Sequence, residues 1–308
     1  MLQMGLTFSA NCKGGSYLLD ANTMILHTPA KLAMVNAIHV LPDSYEHESP
    51  SDYVNSHLWK YLVDAEERMV DPFNNILPFA IHFPLKNSDT KEVLNIKDCI
   101  LKKYSEESFK RISEPFVDEA MIMNCENYTL DDVQITIQHI HGEEDYSKYI
   151  ELMQNTFGFT KDPKLVTIVK EALFYPHNVK DTSEDVNYVY ENYLGYANNT
   201  SEPVCIGRIV QLSVKYMQKF PELENLCRIL ENSSPDNEYY YSIIALGTRD
   251  TERHKGYGSA MVKSLINRVS NLGGKYIGLH CELDTVPFYE KLGFSSISKQ
   301  LTILRMPK

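Results

Sequence analysis

The chain lacks closely spaced cysteines. Six cysteines among 308 residues stand at 12, 99, 125, 205, 227 and 281, with no Cys-x-x-Cys pair and no Cys/His cluster at zinc spacing. That pattern argues against a disulfide framework and a structural zinc site, and it fits free thiols in a reducing compartment. No apolar run approaches the ~18–20 residues that a membrane-spanning helix needs. The N-terminus lacks a charged-then-apolar signal pattern, so a cytoplasmic or nuclear protein is expected. Positive charge is also short: 30 Lys and Arg against 41 Asp and Glu leave a net charge of −11. With no basic stripe to offset it, nucleic acid is not an expected partner. The same charge fits either simple solubility or a cationic partner. His139 and His141 alternate at a strand end, but no third ligand accompanies them, so no metal is expected. Short-period repeats, low-complexity tracts and long Pro/Gly linkers are absent too.

What is present supports a folded core. Hydrophobic residues make up 43% and charged residues 23%, ordinary for one large or two ordinary domains. From residue 133 the elements follow a coherent order. Residues 133–140 alternate like a strand. Acids at 143–145 then lead into a helix over 146–157, with Tyr146, Tyr149, Ile150 and Met153 at helical spacing. Asp162-Pro163 starts a second helix, 164–174. Residues 185–196 and 203–214 are strand-like around a polar turn. Residues 215–231 are mostly helical, either shaping an acceptor site or forming a surface insertion. A strand over 240–246, a glycine loop, a helix over 259–269, a strand over 275–279, a short helix over 286–292 and a last strand over 301–306 complete the order.

The most informative stretch is Arg253-His254-Lys255-Gly256-Tyr257-Gly258-Ser259. It joins an apolar strand to a helix. The first N–H groups of a helix have no partner within it and carry partial positive charge. Two glycines let a ligand approach the backbone, and the three basic residues add positive potential. Alone, the loop is either an anion cradle or a turn. It is not a P-loop, which needs a longer glycine spacing and a Lys-Ser/Thr pair after the last glycine. It also lacks the third glycine of a dinucleotide fingerprint.

About thirty residues on, Cys281-Glu282 is followed by Val286-Pro287-Phe288-Tyr289 and Gly293-Phe294. Pro287 suits the first turn of a helix, and Gly293 suits the residue past its end. The combination Arg-x-x-Gly-x-Gly, helix, strand, Phe-Tyr-x-x-x-Gly-Phe resembles the GNAT superfamily of acetyl-CoA-dependent N-acetyltransferases. It is similar, more narrowly, to the arylalkylamine N-acetyltransferase branch. The match covers roughly residues 243–294. The resemblance implies that backbone groups of Leu246, Gly247 and Thr248 pair with the pantetheine arm of acetyl-CoA. It implies that N–H groups of Arg253, His254, Lys255, Gly256, Tyr257, Gly258 and Ser259 hold the pyrophosphate. It makes Tyr289 the general acid that protonates the leaving thiolate. A half-buried packing aromatic is the alternative for that residue. One departure stands out: the branch carries two histidines on the strand before the loop, where this chain has Ser242 and Ile244. Glu238, Tyr240 and Tyr241 are the nearby alternatives for a base.

The expected fold is therefore α/β. Residues 131–308 form a GNAT acyl-CoA N-acyltransferase domain, and residues 1–130 form an N-terminal α/β domain. The latter has strands at 24–26, 34–41 and 76–83 and helices at 51–69 and 90–112. It is either a degenerate second GNAT-like half or an unrelated supporting domain. Its would-be phosphate loop, 42–51, holds no glycine and carries Asp43, Glu46 and Glu48, so it should not bind CoA. The expected activity is transfer of acetyl from acetyl-CoA to a primary amine, small molecule or polypeptide. A non-catalytic CoA-binding module is the alternative of a different class.

Overall fold

The computed structural model describes residues 16–19, 23–27, 37–40, 52, 60, 67–68, 79–85, 98, 116–130, 134–157, 188–198, 200–213 and 239–305. In chain order the strands are β1 (Ser16–Leu19), β2 (Thr23–His27), β3 (Ala37–Val40), β4 (Phe79–Leu85), β5 (Phe116–Asn124), β6 (Ile135–His139), β7 (Tyr188–Ala197), β8 (Pro203–Ser213), β9 (Tyr239–Thr248), β10 (Tyr276–Glu282) and β11 (Ser295–Arg305). The helices are α1 (Glu143–Phe157), α2 (Tyr257–Asn271) and α3 (Val286–Glu290). The expected helices at 164–174 and 215–231, the acidic loop at 42–51, and nearly all of the helices at 51–69 and 90–112 lie outside the described residues.

The chain divides into two compact units. The first comprises Met1–Met121, His280–Pro287 and Ser296–Lys308, and the second comprises Ile122–Leu279 and Phe288–Ser295. In the first unit β1, β2 and β3 pair antiparallel in sequence. β3 then runs parallel to β4, with Ile38 opposite Ile81. β4 pairs antiparallel with β11, where Ile81 faces Ile303. Phe79, Ala80, Ile81 and His82 are all buried. Burial of successive residues means that β4 is covered on both faces, as a parallel-paired strand generally is. His82 is accommodated by polar neighbours on β11. Its Nδ1 lies 2.9 Å from the Thr302 hydroxyl and 2.9 Å from Gln300 Nε2. Burial lowers its pKa to about 3, so the imidazole is neutral.

In the second unit the strand order is β10-β9-β8-β7-β6. All neighbours are antiparallel except β9 and β10. α1 starts earlier than its apolar spacing indicates, at Glu143, because Glu143, Glu144 and Asp145 occupy its first turn and favour the positive end of the helix dipole. Tyr149, Ile150, Leu152 and Met153 of α1 join Ile140, Leu194 and Ile206 in one apolar cluster. α2 buries Met261, Val262, Leu265, Ile266 and Val269. A Cβ on Gly207 would meet Leu265 at 2.7 Å and Met261 at 3.1 Å. Gly207 follows Ile206 on β8, and successive strand residues face opposite sides. So α1 and α2 cover opposite faces of this sheet.

A charged clamp ties α2 to β7. Arg268 donates from Nη2 and Nε to the two oxygens of Glu191, at 2.6 and 3.0 Å. Tyr193 donates its hydroxyl to Glu191 Oε2 at 2.6 Å. Burial pushes the Glu191 pKa up, but the hydrogen bonds from Arg268 and Tyr193 outweigh it, and the net shift is downward from 4.5. A carboxylate with a depressed native pKa stabilises the fold fully above its unfolded value and loses that contribution as pH falls through the folded value. Glu191→Gln is therefore expected to cost stability at pH 7. The gap between wild type and variant should close as pH falls below 4.5, measured by urea denaturation across pH.

Candidate functional site

The site is built around the far end of β9. The parallel ladder between β9 and β10 pairs Tyr241 with Ile277 and Ser242 with Gly278, and it stops there. On its other side β9 stays paired with β8 as far as Thr248, opposite Cys205. The pairing slips between Ile206 and Arg208, which face Gly247 and Ile244. Two residues of β9, Ala245 and Leu246, thus oppose the single Gly207. This is a β-bulge, a feature that re-aims the backbone and ends pairing. Ala245 adopts the left-handed conformation, φ 58°, which costs a residue with a Cβ roughly 1–2 kcal/mol.

Beyond the bulge the direction of each peptide follows by alternation. Arg249 N donates to Val204 O of β8 at 2.9 Å. Gly247, two residues back, likewise faces β8, so the N–H and C=O groups of Leu246 and Thr248 point to the opposite edge. That is the edge on which the β10 ladder has ended.

This edge runs into the start of α2. A one-turn 3-10 helix, Asp250–Glu252, follows the strand. His254 is left-handed at φ 63°, and Gly256 is the N-cap of α2 at φ 86°, with no side-chain capping bond. The first amide of α2 to find its carbonyl is Ala260 N, on Gly256 O at 2.9 Å. The N–H groups of Tyr257, Gly258 and Ser259 belong to the first turn, which has no intrahelical acceptors. A Cβ on Gly256 would meet nothing within 4 Å, so open space lies in front of this turn. A Cβ on Gly258 would come within 3.3 Å of Thr248 Oγ1. Glycine there lets the helix start against the strand end.

The basic residues are not simply exposed charge. Arg253 Nη2 pairs with Asp250 Oδ1 at 2.8 Å, and Lys255 Nζ pairs with Glu252 Oε2 at 3.0 Å. Arg249, Arg253 and Lys255 against Asp250 and Glu252 leave one net positive charge in the segment. Both cations are exposed, and surface pairs of this kind are worth only about 0–1 kcal/mol, so both can change partners at little cost.

The second half of the motif packs beside the loop. The Phe288 ring lies 3.9 Å from the Cβ position of Gly258. Tyr289, half-buried, stacks edge-on against Phe288 and Phe294, at 4.9 and 5.9 Å between centroids. Phe294 is buried, and its N–H bonds Tyr289 O at 3.1 Å. Gly293, at φ 97°, supplies the left-handed exit from this turn. α3 ends at Glu290, two residues short of the expected 292.

Ser242 and Ile244 lie opposite Val210 and Arg208 on β8. Arg208 is buried, bonded through Nε to Asn192 Oδ1 at 2.5 Å, with its guanidinium 5.9 Å from the Tyr149 ring centroid. Tyr149 belongs to α1, so Ser242 and Ile244 stand on the α1 face of the sheet. Of the alternative bases, Glu238 lies outside the described residues. Tyr241 is buried and pushed up to about 12, chiefly by that burial, far above the range of a base working at neutral pH. Neither the bulge at Ala245 nor the buried Arg208 was evident in the sequence, since alanine carries no signal for a left-handed backbone and arginine in a strand ordinarily implies exposure. His139 Nδ1 lies 3.2 Å from His141 Nε2, and among the described residues no group of three or more His, Cys, Asp or Glu could hold a metal ion. No helix among them is long and apolar enough to cross a membrane.

Residues 175–294 match the model of the Acetyltransferase (GNAT) family. No curated protein matches the sequence. A functionally unknown conserved protein from Staphylococcus epidermidis ATCC 12228 has a similar structure, with TM-score 0.54 and 13% identity over 96% of this chain and 95% of that one. A GCN5-related N-acetyltransferase from Kribbella flavida gives TM-score 0.52 and 7% identity over 97% and 92%. A tandem GNAT protein from the clavulanic acid biosynthesis pathway gives 0.54 and 7% over 98% and 86%. At these identities the likeness concerns the fold. The chain thus carries a GNAT acetyltransferase domain at 175–294, with a mixed α/β architecture, and the tandem relative fits a second GNAT-like half. The arylalkylamine branch finds no support in these comparisons.

Gly247 sets a packing limit at this strand. A Cβ there would lie 2.8 Å from Thr156 Cγ2 on α1. Gly247→Ala is expected to push α1 away and destabilise the protein by about 1–3 kcal/mol, measured by urea denaturation.

Proposed function

We propose that the protein is an acetyl-CoA-dependent N-acetyltransferase whose acceptor is a primary amine, a small arylalkylamine or polyamine. The observation that carries this reading is the meeting, in one unit, of an unladdered strand edge at Leu246 and Thr248 with the open first turn of α2. An extended amide-containing arm suits the first, because it can take the place of the missing strand partner. A pyrophosphate suits the second, where the N–H groups of Gly256, Tyr257, Gly258 and Ser259 converge with the helix dipole. Arg253, His254 and Lys255 flank that turn, and the two cations can leave Asp250 and Glu252 for phosphate oxygens.

Acetyl-CoA, when bound, supplies an activated acyl carbon and a thiolate leaving group. In the transfer the amine nitrogen bonds to the acyl carbon, the carbon–sulfur bond breaks, the nitrogen loses a proton and the sulfur gains one. Tyr289 is the residue we assign to the last step. A phenol and a thiol titrate in neighbouring ranges, so a proton passes between them without a large penalty. Ser242 and Ile244 supply no base at neutral pH. The proton leaving the amine nitrogen therefore passes to a group other than these two residues. The acidic balance of the chain, net −11, favours encounter with cationic amines over anionic acceptors.

Calorimetry with acetyl-CoA is expected to show one site per chain, because no glycine lies between Gly15 and Gly142 to form a second cradle after β3. Gly256→Glu should abolish that binding, since its carboxylate would project into the phosphate position. The variant's fold should survive, with circular dichroism as the check. Retained affinity in a folded Gly256→Glu protein would remove the phosphate assignment. Tyr289→Phe is expected to lower kcat tenfold or more with acetyl-CoA affinity unchanged, followed by thiol release on a panel of amines and peptides. Turnover confined to peptides would replace the small-amine acceptor with a polypeptide.

A further inference from the structure

Thr156 sits in the last turn of α1, against the strand just discussed. Its hydroxyl oxygen is buried and has no hydrogen-bond partner among the described residues. Two other helical hydroxyls among the described residues bond back to the preceding turn. Ser147 donates to Glu143 O at 2.9 Å and Ser264 to Ala260 O at 2.9 Å. Thr156 forgoes that bond, although threonine in a helix can make it. A buried hydroxyl left unmatched carries the full cost of its lost water, so its orientation calls for a partner that no described residue supplies.

The position of the hydroxyl indicates where that partner lies. Thr156 Oγ1 is 3.1 Å from the Cβ position of Gly247, and Thr156 Cγ2 is 2.8 Å from it. Glycine at 247 is what admits the threonine. The two residues flanking Gly247 are Leu246 and Thr248, whose backbone groups face the unladdered edge. The hydroxyl therefore stands one residue from both of those groups, on the α1 face that also carries Ser242 and Ile244. Resting on the acetyl-CoA reading above, we infer that Thr156 is a binding residue of the donor site, its hydroxyl donating to a carbonyl oxygen of the bound acyl-CoA. That oxygen belongs either to the thioester or to a pantetheine amide.

Two variants and two ligands test this. Thr156→Val keeps the shape and removes the donor, while Thr156→Ser keeps the donor. Calorimetry with acetyl-CoA on the full chain is expected to give about tenfold weaker binding for Thr156→Val and near wild-type binding for Thr156→Ser. A loss confined to acetyl-CoA, with CoA unaffected, assigns the bond to the thioester carbonyl. An equal loss for both ligands assigns it to a pantetheine amide. Without ligand, Thr156→Val should melt at or above the wild-type temperature, because an unmatched hydroxyl has been replaced by a methyl group. Wild-type affinity in Thr156→Val overturns the inference. So does a ligand-free melting temperature that falls in Thr156→Val and is restored in Thr156→Ser, since the hydroxyl would then serve the fold. Wild-type protein that binds neither ligand removes the donor reading itself, a result distinct from either of these.

Discussion

The separation of β9 from β10 after Ser242 is the constraint on which the candidate site rests. A sheet gains its stability by pairing each backbone N–H and C=O group, and an unpaired edge inside a fold is costly. Here the ladder with β10 is absent over residues 243–248, the stretch that contains the bulge at Ala245 and Leu246. Ala245 is held in a conformation that alanine disfavours, and the flanking β8 ladder over-determines it on both sides of the bulge. Strain of this kind survives where surrounding packing enforces it. The exposed peptide groups of Leu246 and Thr248 lead into the first turn of α2, where further amides lack partners. The strand edge and the helix start, which approach each other at Thr248 and Gly258, thus each present backbone groups that the sheet and the helix leave unpaired.

The two faces of this sheet are held by different chemistry. On the α2 side, Gly207 and Gly258 permit close approach, and Arg268, Glu191 and Tyr193 fasten the helix to β7 through charge-assisted bonds. On the α1 side an apolar cluster surrounds a buried guanidinium, Arg208, that is satisfied in part by Asn192 and stacked near Tyr149. The α1 face thus holds a buried charge, and Ser242 and Ile244 lie on that face. A site assembled there gains rigidity from α1, whose last turn presses on Gly247.

The legibility of the sequence followed local signals. β8, β9, α2 and β10 emerged from apolar periodicity within one to three residues at each end, because both glycine turns around α2 carry strong punctuation. The paired elements of the motif, the loop at 253–259 and Phe288-Tyr289, are brought together as Phe288 reaches Gly258. β5 was not legible. Its run FVDEAMIMN carries Asp118 and Glu119 in mid-strand, which breaks the apolar alternation, and yet both are buried. Glu119 lies 3.6 Å from Lys299, and burial raises the Asp118 pKa to about 6. Only tertiary pairing makes such a segment a strand. β1 was missed for a simpler reason, its four residues being too short for a period to show. The early start of α1 reflects a dipole effect that apolar spacing does not report. The left-handed Ala245 had no sequence signal at all.

The pairing of β4 with β11 has a consequence for how the protein is made. His82 and Thr302 are 220 residues apart in sequence and hydrogen-bonded in the fold. At ribosomal rates of ~5–20 residues per second, β4 waits on the order of 10–40 s for its partner to be synthesised. During that interval its apolar run, FAIHFPL, presents an open edge, the kind of template on which nascent chains aggregate. Pro84 lies within this strand opposite Gln300, and proline cannot donate to an intruding strand. Proline at this position thus removes one backbone donor from a strand whose partner is synthesised last.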